Sequence, residues 1–184
     1  MIWITADLHF CHNKEFIYGA RGFTSVDQMN ETIIDNWNNL VNPEDEVYVL
    51  GDIMLEDNMK GIECWNQLIG NKHIILGNHD SFSRAKLYKQ CPKTRVEGYG
   101  LPKQYKGNNF FLSHYPTITW NMDEGPSISN KVINLCGHIH TKDRFCDFDK
   151  GLIYHVELDS HNMRPVTIES ILKDITDKIN GQEQ

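Results

Sequence analysis

The stretch Ile74-Ile75-Leu76-Gly77-Asn78-His79-Asp80 joins an apolar run to a glycine and then to a cluster of polar residues. The run has the length of a buried strand and stops at a turn. Polar residues just beyond the C-terminal ends of strands are where α/β sheets build their sites. The same grammar appears upstream. Residues 2–6 are mostly apolar and end at Asp7, with His9 just beyond, and residues 46–50 alternate into a strand that stops at Gly51-Asp52. Helical spacing fills the intervals. Ser25 and Gln28 resemble a capping box, and Val26, Met29, Ile33, Trp37 and Leu40 predict a helix over 26–40, closed by Asn42-Pro43. Ile62, Trp65, Leu68 and Ile69 predict another, closed by Gly70-Asn71. Strand, turn and helix in repetition imply an α/β layered fold with its site at the strand C-termini.

The second half reads as mostly strand, with short runs at 95–97, 109–112, 132–136 and 152–157. A terminal helix over 167–178 follows, with Ile168, Ile171, Leu172, Ile175 and Ile179 at helical spacing. Within this half lie His114 and the stretch Gly137-His138-Ile139-His140. In extended backbone, residues i and i+2 point the same way, so Asp7 with His9, and His138 with His140, are expected to offer paired donors to one cavity. Carboxylates and imidazoles suit Mn²⁺, Fe²⁺, Zn²⁺, Ni²⁺ or Mg²⁺, and a carboxylate such as Asp52 can bridge two ions. The amide of Asn78 is unusual in a structural zinc site, which points to a catalytic cage. Gly51, Gly77 and Gly137 each precede a proposed ligand, where glycine permits a tight turn.

At 184 residues the chain is expected to form a single domain spanning 1–184. A net charge of −7 argues against a surface for long nucleic acid, and favours small or short phosphorylated substrates. The five cysteines are odd in number and lack C-x-x-C spacing, so they read as reduced thiols of a cytoplasmic protein. Neither a signal-like opening nor a long apolar run is present, and no membrane association is expected.

Asp7-Leu8-His9, Gly51-Asp52, Gly77-Asn78-His79-Asp80, the isolated Ser113-His114-Tyr115 and Gly137-His138-Ile139-His140 resemble, in type and order, the calcineurin-like metallophosphoesterase superfamily. The resemblance covers residues 1 to about 160 and includes small bacterial and phage-type members. It implies a four-layer sandwich of two packed, mixed β-sheets flanked by helices, with a dinuclear centre at the strand ends. It further implies one ion on Asp7, His9, Asp52 and His140, and another on Asp52, Asn78, His114 and His138, with Mn²⁺ the favoured metal. His79 is left without a metal and resembles the histidine that contacts the scissile phosphate and protonates the leaving oxygen. The implied reaction is in-line attack on phosphorus by a hydroxide bridging the ions, with no covalent intermediate.

The second motif lacks the Asp-Arg-Gly extension of the phosphoprotein phosphatases, reading Gly51-Asp52-Ile53-Met54-Leu55-Glu56-Asp57, which shifts weight to small phosphodiesters or phosphomonoesters, nucleotides among them. His12, Arg21 and Tyr115 are the candidate substrate-binding residues. His12 either lines the cleft or folds onto a loop. Arg21, in an Arg-Gly-Phe that departs from the relatives' Arg-Pro-Phe, is either a phosphate clamp or structural. Tyr115, Pro116 and Trp120 either wall the cleft or serve loop packing. Asp80 either orients the His79 ring or caps a helix near Ser83. A non-catalytic protein-binding scaffold is the alternative from a different class, set against by the presence of His79.

Overall fold

A computed structural model describes residues 1–119, 132–146 and 152–181. The first sheet contains β1 (Ile2–Thr5), β2 (Glu46–Leu50), β3 (Asn71–Ile75), β4 (Thr94–Gly98) and β9 (Val166–Thr167), in the order β4-β3-β2-β1-β9. Neighbours from β1 to β4 are parallel, and β9 runs antiparallel to β1. The second sheet has the order β5-β6-β7-β8, from β5 (Gly100–Tyr105), β6 (Asn108–Ser113), β7 (Val132–Cys136) and β8 (Ile153–His155). Its first pair is antiparallel and the others are parallel. Helices α1 (Glu15–Tyr18), α2 (Val26–Asn38), α3 (Asn58–Gln67), α4 (Phe82–Tyr88) and α5 (Ile168–Asn180) complete the fold. These are the two mixed sheets and flanking helices that the motif order implies.

Alternation along the central strands sorts their side chains between two cores. Trp3, Val47, Val49 and Ile74 face the helical layer, where Trp37 of α2 and Trp65 of α3 meet edge to face with ring centroids 6.5 Å apart. Ile4, Tyr48, Leu50 and Ile75 face the second sheet and meet Phe110, Leu112, Ile133, Leu135 and Tyr154. Helix α5 directs Ile168, Ile171 and Ile175 into this inter-sheet core. Burying each such large side chain contributes about 1.5–3 kcal/mol. The central strands are therefore buried on both faces, and only their ends are available for chemistry.

The helix starts follow the expected side chains, but α2 ends at Asn38 rather than at residue 40, and α3 ends at Gln67, ahead of the expected Gly70-Asn71, whose Asn71 opens β3. Ser25 Oγ caps α2 by accepting from Gln28 N at 3.2 Å, but Gln28 Oε1 returns to Thr24 N rather than to Ser25 N. Ser81 caps α4, so Asp80 is free for other work. The run at 95–97 belongs to β4 and joins the first sheet. β5, which opens on Gly100 just after Gly98, and the short α1 were not legible as elements.

Candidate metal centre and active site

Every candidate ligand lies at or just past a strand end on one side of the sandwich. Asp7 and His9 follow β1, Asp52 follows β2, Asn78 follows β3, His114 follows β6, and His138 and His140 follow β7. The expected pairing of i and i+2 side chains is realised, but not by extended backbone. β1 ends at Thr5 and β7 at Cys136, and Asp7, His9, Asp52, His138 and His140 all have φ between 52° and 76°. Each left-handed residue costs on the order of 1–3 kcal/mol and persists only where the surroundings over-determine it. Alternating left-handed turns throw successive ligands inward while the intervening Leu8 returns to the core.

The backbone approaches closely at the glycines. Gly51 has φ +88°, and a Cβ there would lie 2.6 Å from His114 Nδ1. A Cβ on Gly137 would lie 2.2 Å from Asp7 Oδ2, the atom that accepts from His138 N at 2.8 Å. No larger residue fits without moving a ligand.

The donor chemistry decides what the cavity accepts. His114 Nδ1 lies 2.8 Å from the Leu50 carbonyl, which can only accept, so Nδ1 carries the proton and Nε2 is bare. That bare nitrogen faces the Asn78 side-chain oxygen at 2.8 Å and Asp52 Oδ2 at 3.5 Å. His140 Nδ1 donates to Asp159 Oδ2 at 3.0 Å, which turns its Nε2 toward the cavity, 3.1 Å from His9 Nε2. Both imidazoles lie 3.7 Å from Asp7 Oδ1, a buried oxygen with no hydrogen-bond partner among the described residues. Imidazole nitrogens and carboxylate oxygens converging on one buried cavity are a donor set that a cation satisfies. Asp7, His9 and His140 form one donor group of metal-binding size, and Asp7, Asp52 and His114 another. Asp52 Oδ2 also reaches to 3.8 Å from His9 Nε2, so both carboxylates lie between the two histidine sets. His138 extends the second set, with its Nδ1 3.2 Å from His114 Nε2.

Electrostatics agree with this fit. Burial pushes the Asp7 and Asp52 carboxyls above their usual range, against the attraction of His140 and His114. Burial likewise drives His9 well below its ordinary value, aided by Arg21, and lowers His138. These two acids and two imidazoles are pushed toward their neutral forms, whereas His140 moves the other way: against its burial, the hydrogen bond to Asp159 raises it.

Asp80 does neither thing that its sequence position suggested. Its Oδ2 accepts from Asp52 N at 2.7 Å and Gly77 N at 2.9 Å, and its Oδ1 from Tyr88 Oη at 2.7 Å. It ties the second and third motifs together from beneath. His79 is instead oriented by its backbone, donating N–H to Asp52 Oδ1 at 2.9 Å and accepting from Arg84 Nη1 at 2.6 Å. Its ring is 42% exposed, with Nε2 3.9 Å from Asp52 Oδ2, open to a ligand entering from solvent.

Among the substrate-binding candidates, Arg21 is corrected. Its side chain is 1% exposed and spends its donors internally: Nε and Nη2 on Asp159 at 3.0 and 2.7 Å, Nη2 on the Asp7 carbonyl at 2.8 Å, and Nη1 on the Leu8 carbonyl at 3.3 Å. A phosphate clamp would need those donors free. His12 is buried, with its ring stacked on His9 and Nδ1 3.1 Å from His9 Nδ1, and burial lowers its pKa. Tyr115 is half exposed and edges onto His138 at 4.6 Å, on the rim of the second donor set. Trp120 lies outside the described residues. Asp159 was missed by sequence reasoning. Burial works against its charge, yet hydrogen bonds from His140 and Arg21 hold it far below the usual carboxylate range. Only the need of a ligand histidine for an outer partner could have prompted a search for it.

Fold and site together define an α/β sandwich with an Asp/His/Asn metal cage at its strand ends. The profile of the calcineurin-like phosphoesterase family matches residues 1–179, and the chain belongs to that family. It is therefore a metal-binding hydrolase of phosphoester bonds in the general sense. It is 31% identical over 175 residues to a Methanocaldococcus jannaschii protein described as uncharacterized protein MJ1445, covering 94% of this chain and 89% of that one. It is 26% identical to the gene 66 protein of Mycobacterium phage D29, covering 95% and 96% respectively. The Aquifex aeolicus protein of unknown function AQ665 shares the fold, with TM-score 0.70, 22% identity and coverage of 94% and 98%. No described helix is long and apolar enough to cross a membrane.

Proposed function

We propose that the chain is a dinuclear-metal phosphodiesterase for small phosphorylated substrates, with nucleotide-type diesters the favoured class. One ion would be held by Asp7, His9, Asp52 and His140, the other by Asp52, Asn78, His114 and His138. When bound, two such ions neutralise phosphate charge and lower the pKa of water. The residues themselves hold the cage, exclude solvent from its floor and present the exposed His79 ring to the leaving oxygen as proton donor. The observation that carries this reading is the convergence of the His9 and His140 Nε2 atoms on the buried, unpartnered Asp7 Oδ1. Nitrogen and oxygen donors without thiolate favour Mn²⁺, with Fe²⁺, Zn²⁺, Ni²⁺ and Mg²⁺ also compatible. The free cysteines support a reducing, cytoplasmic setting.

The test is hydrolysis of bis-p-nitrophenyl phosphate and p-nitrophenyl phosphate with Mn²⁺, with and without chelator, alongside metal stoichiometry on the purified protein. Metal-dependent turnover with the diester preferred, and near two ions per chain, is expected. Chelator-insensitive activity, or no turnover by metal-loaded protein, defeats the proposal.

A further inference from the structure

Beside the cage, on the side of His9 and His140, lies a cavity of about 140 Å³. Its floor is the Arg21–Asp159 ion pair, its wall Phe16 and Ile17 of α1, and its edge His140 and Lys142. The Phe16 ring is 70% exposed and stands edge-on to His12 at 5.8 Å, while His12 lies 5.2 Å from His9 and 6.4 Å from His79. An unbroken row of rings thus leads from the candidate proton donor, past a cage ligand, to an exposed aromatic face. A large aromatic side chain held out in water beside a cavity loses burial energy that a flat ligand would recover. Arg21 and Asp159 neutralise one another, so that side of the cavity carries no net charge. Lys142 is exposed and forms no ion pair among the described residues, which leaves a cation at the cavity's edge.

We propose that this cavity receives the base of a nucleotide-type phosphodiester, with Phe16 stacking on it and Lys142, at the edge, pairing with a further anionic group on the sugar outside. The inference rests on the reading of the adjacent cage as a phosphoesterase centre and names the substrate class of that centre. Ring size matches the space. The cavity has room for one flat ring system and not for a second nucleotide, so short or mononucleotide esters are selected over long strands, in line with the net charge of −7.

The experiment is calorimetric titration of Mn²⁺-loaded protein with methyl phosphate, thymidine 5′-monophosphate and thymidine 3′,5′-bisphosphate. The nucleotide is expected to bind on the order of tenfold more tightly than methyl phosphate, and Phe16→Ala to remove about five- to tenfold of that gain. Methyl phosphate binding should stay within about twofold in the same variant, since the ring that Phe16 meets, His12, is not among the cage's ligands. The bisphosphate should gain a few-fold more, which Lys142→Met abolishes. A nucleotide that binds no better than methyl phosphate, or a preference that Phe16→Ala leaves intact, overturns the cavity assignment. Methyl phosphate that binds equally with and without metal overturns instead the phosphoesterase reading, while the ratio of nucleotide to methyl phosphate still judges the cavity.

Discussion

On the two-ion centre proposed above, replacing Asp159 by Asn should weaken one metal site while sparing the other. Asp159 accepts from His140 Nδ1 at 3.0 Å and from Arg21 Nε and Nη2 at 3.0 and 2.7 Å, and Arg21 in turn grips the Asp7 carbonyl at 2.8 Å. One carboxylate thus couples the loop after β1 to the loop after β7, the two loops that supply Asp7, His9 and His140. An Asn of the same size keeps one acceptor but presents an amide N–H where an acceptor is needed, so either His140 or Arg21 loses its partner. Loss of such an outer partner costs about 10–100-fold in metal affinity, or about 1.4–2.8 kcal/mol. The set of Asn78, His114 and His138 makes no contact with Asp159, and its ion should bind within about twofold of wild type. Competition with a chromophoric chelator, resolved into two binding steps, measures both affinities. A stability effect must be separated from this. Leaving the nearly fully buried Arg21 guanidinium without its counter-charge costs about 3–5 kcal/mol. The double variant Arg21→Met/Asp159→Leu removes both charges and should recover most of that stability without recovering metal affinity. If Asp159→Asn binds both ions as wild type does, or if the double variant restores affinity along with stability, the coupling of Asp159 to the cage is refuted.

Other perturbations reach different links of the argument. His79→Ala should slow diester hydrolysis by about 10²–10⁴-fold with metal content unchanged, because the His79 ring lies 3.9 Å from Asp52 and is exposed rather than embedded in the cage; loss of an ion on mass spectrometry would contradict this. Gly137→Ala drives a Cβ to 2.2 Å from Asp7 Oδ2 and 2.5 Å from Ala6 Cβ, so thermal unfolding should show a loss of about 1–3 kcal/mol together with weakened metal binding. Lys72, buried in β3 with Nζ donating to the Leu68 carbonyl at 2.6 Å, has its pKa brought by burial from 10.5 to about 8. The unfolded chain therefore binds more protons between about pH 8 and 10.5, so stability should rise across that window and carry its full penalty below pH 8. The difference corresponds to about 3 kcal/mol at neutral pH, and Lys72→Met should recover about 1–2 kcal/mol of it, once the lost carbonyl contact is counted, and flatten the rise. Denaturant titrations at pH 7 and 10 that show the same gap between wild type and variant would count against this account.

What could be read from the sequence was whatever repeats locally. Strands buried on both faces appear as short apolar runs, and polar residues just past them mark the candidate ligands, after a glycine at Asp52, Asn78 and His138, so the positions that gather at the cage were visible one motif at a time. Their order along the chain carried the family. The manner of convergence was not visible, because left-handed backbone at Asp7, His9, His138 and His140 is imposed by tertiary contacts such as Asp7 Oδ2 with His138 N, and no local propensity of Asp or His demands it. The partners of the ligands were hidden for the same reason. Arg21 and Asp159 are separated by 138 positions and look like ordinary surface residues until the fold brings them together. Asp80 shows the limit most sharply. Its position beside His79 suggested service to that ring, yet its carboxylate faces the backbone of Asp52 and Gly77, since buried N–H groups at two adjacent strand ends had no other acceptor. Side chains that touch a metal are legible by type and spacing. Those that hold the backbone for them are chosen by unmet hydrogen bonds, which exist only once the fold does.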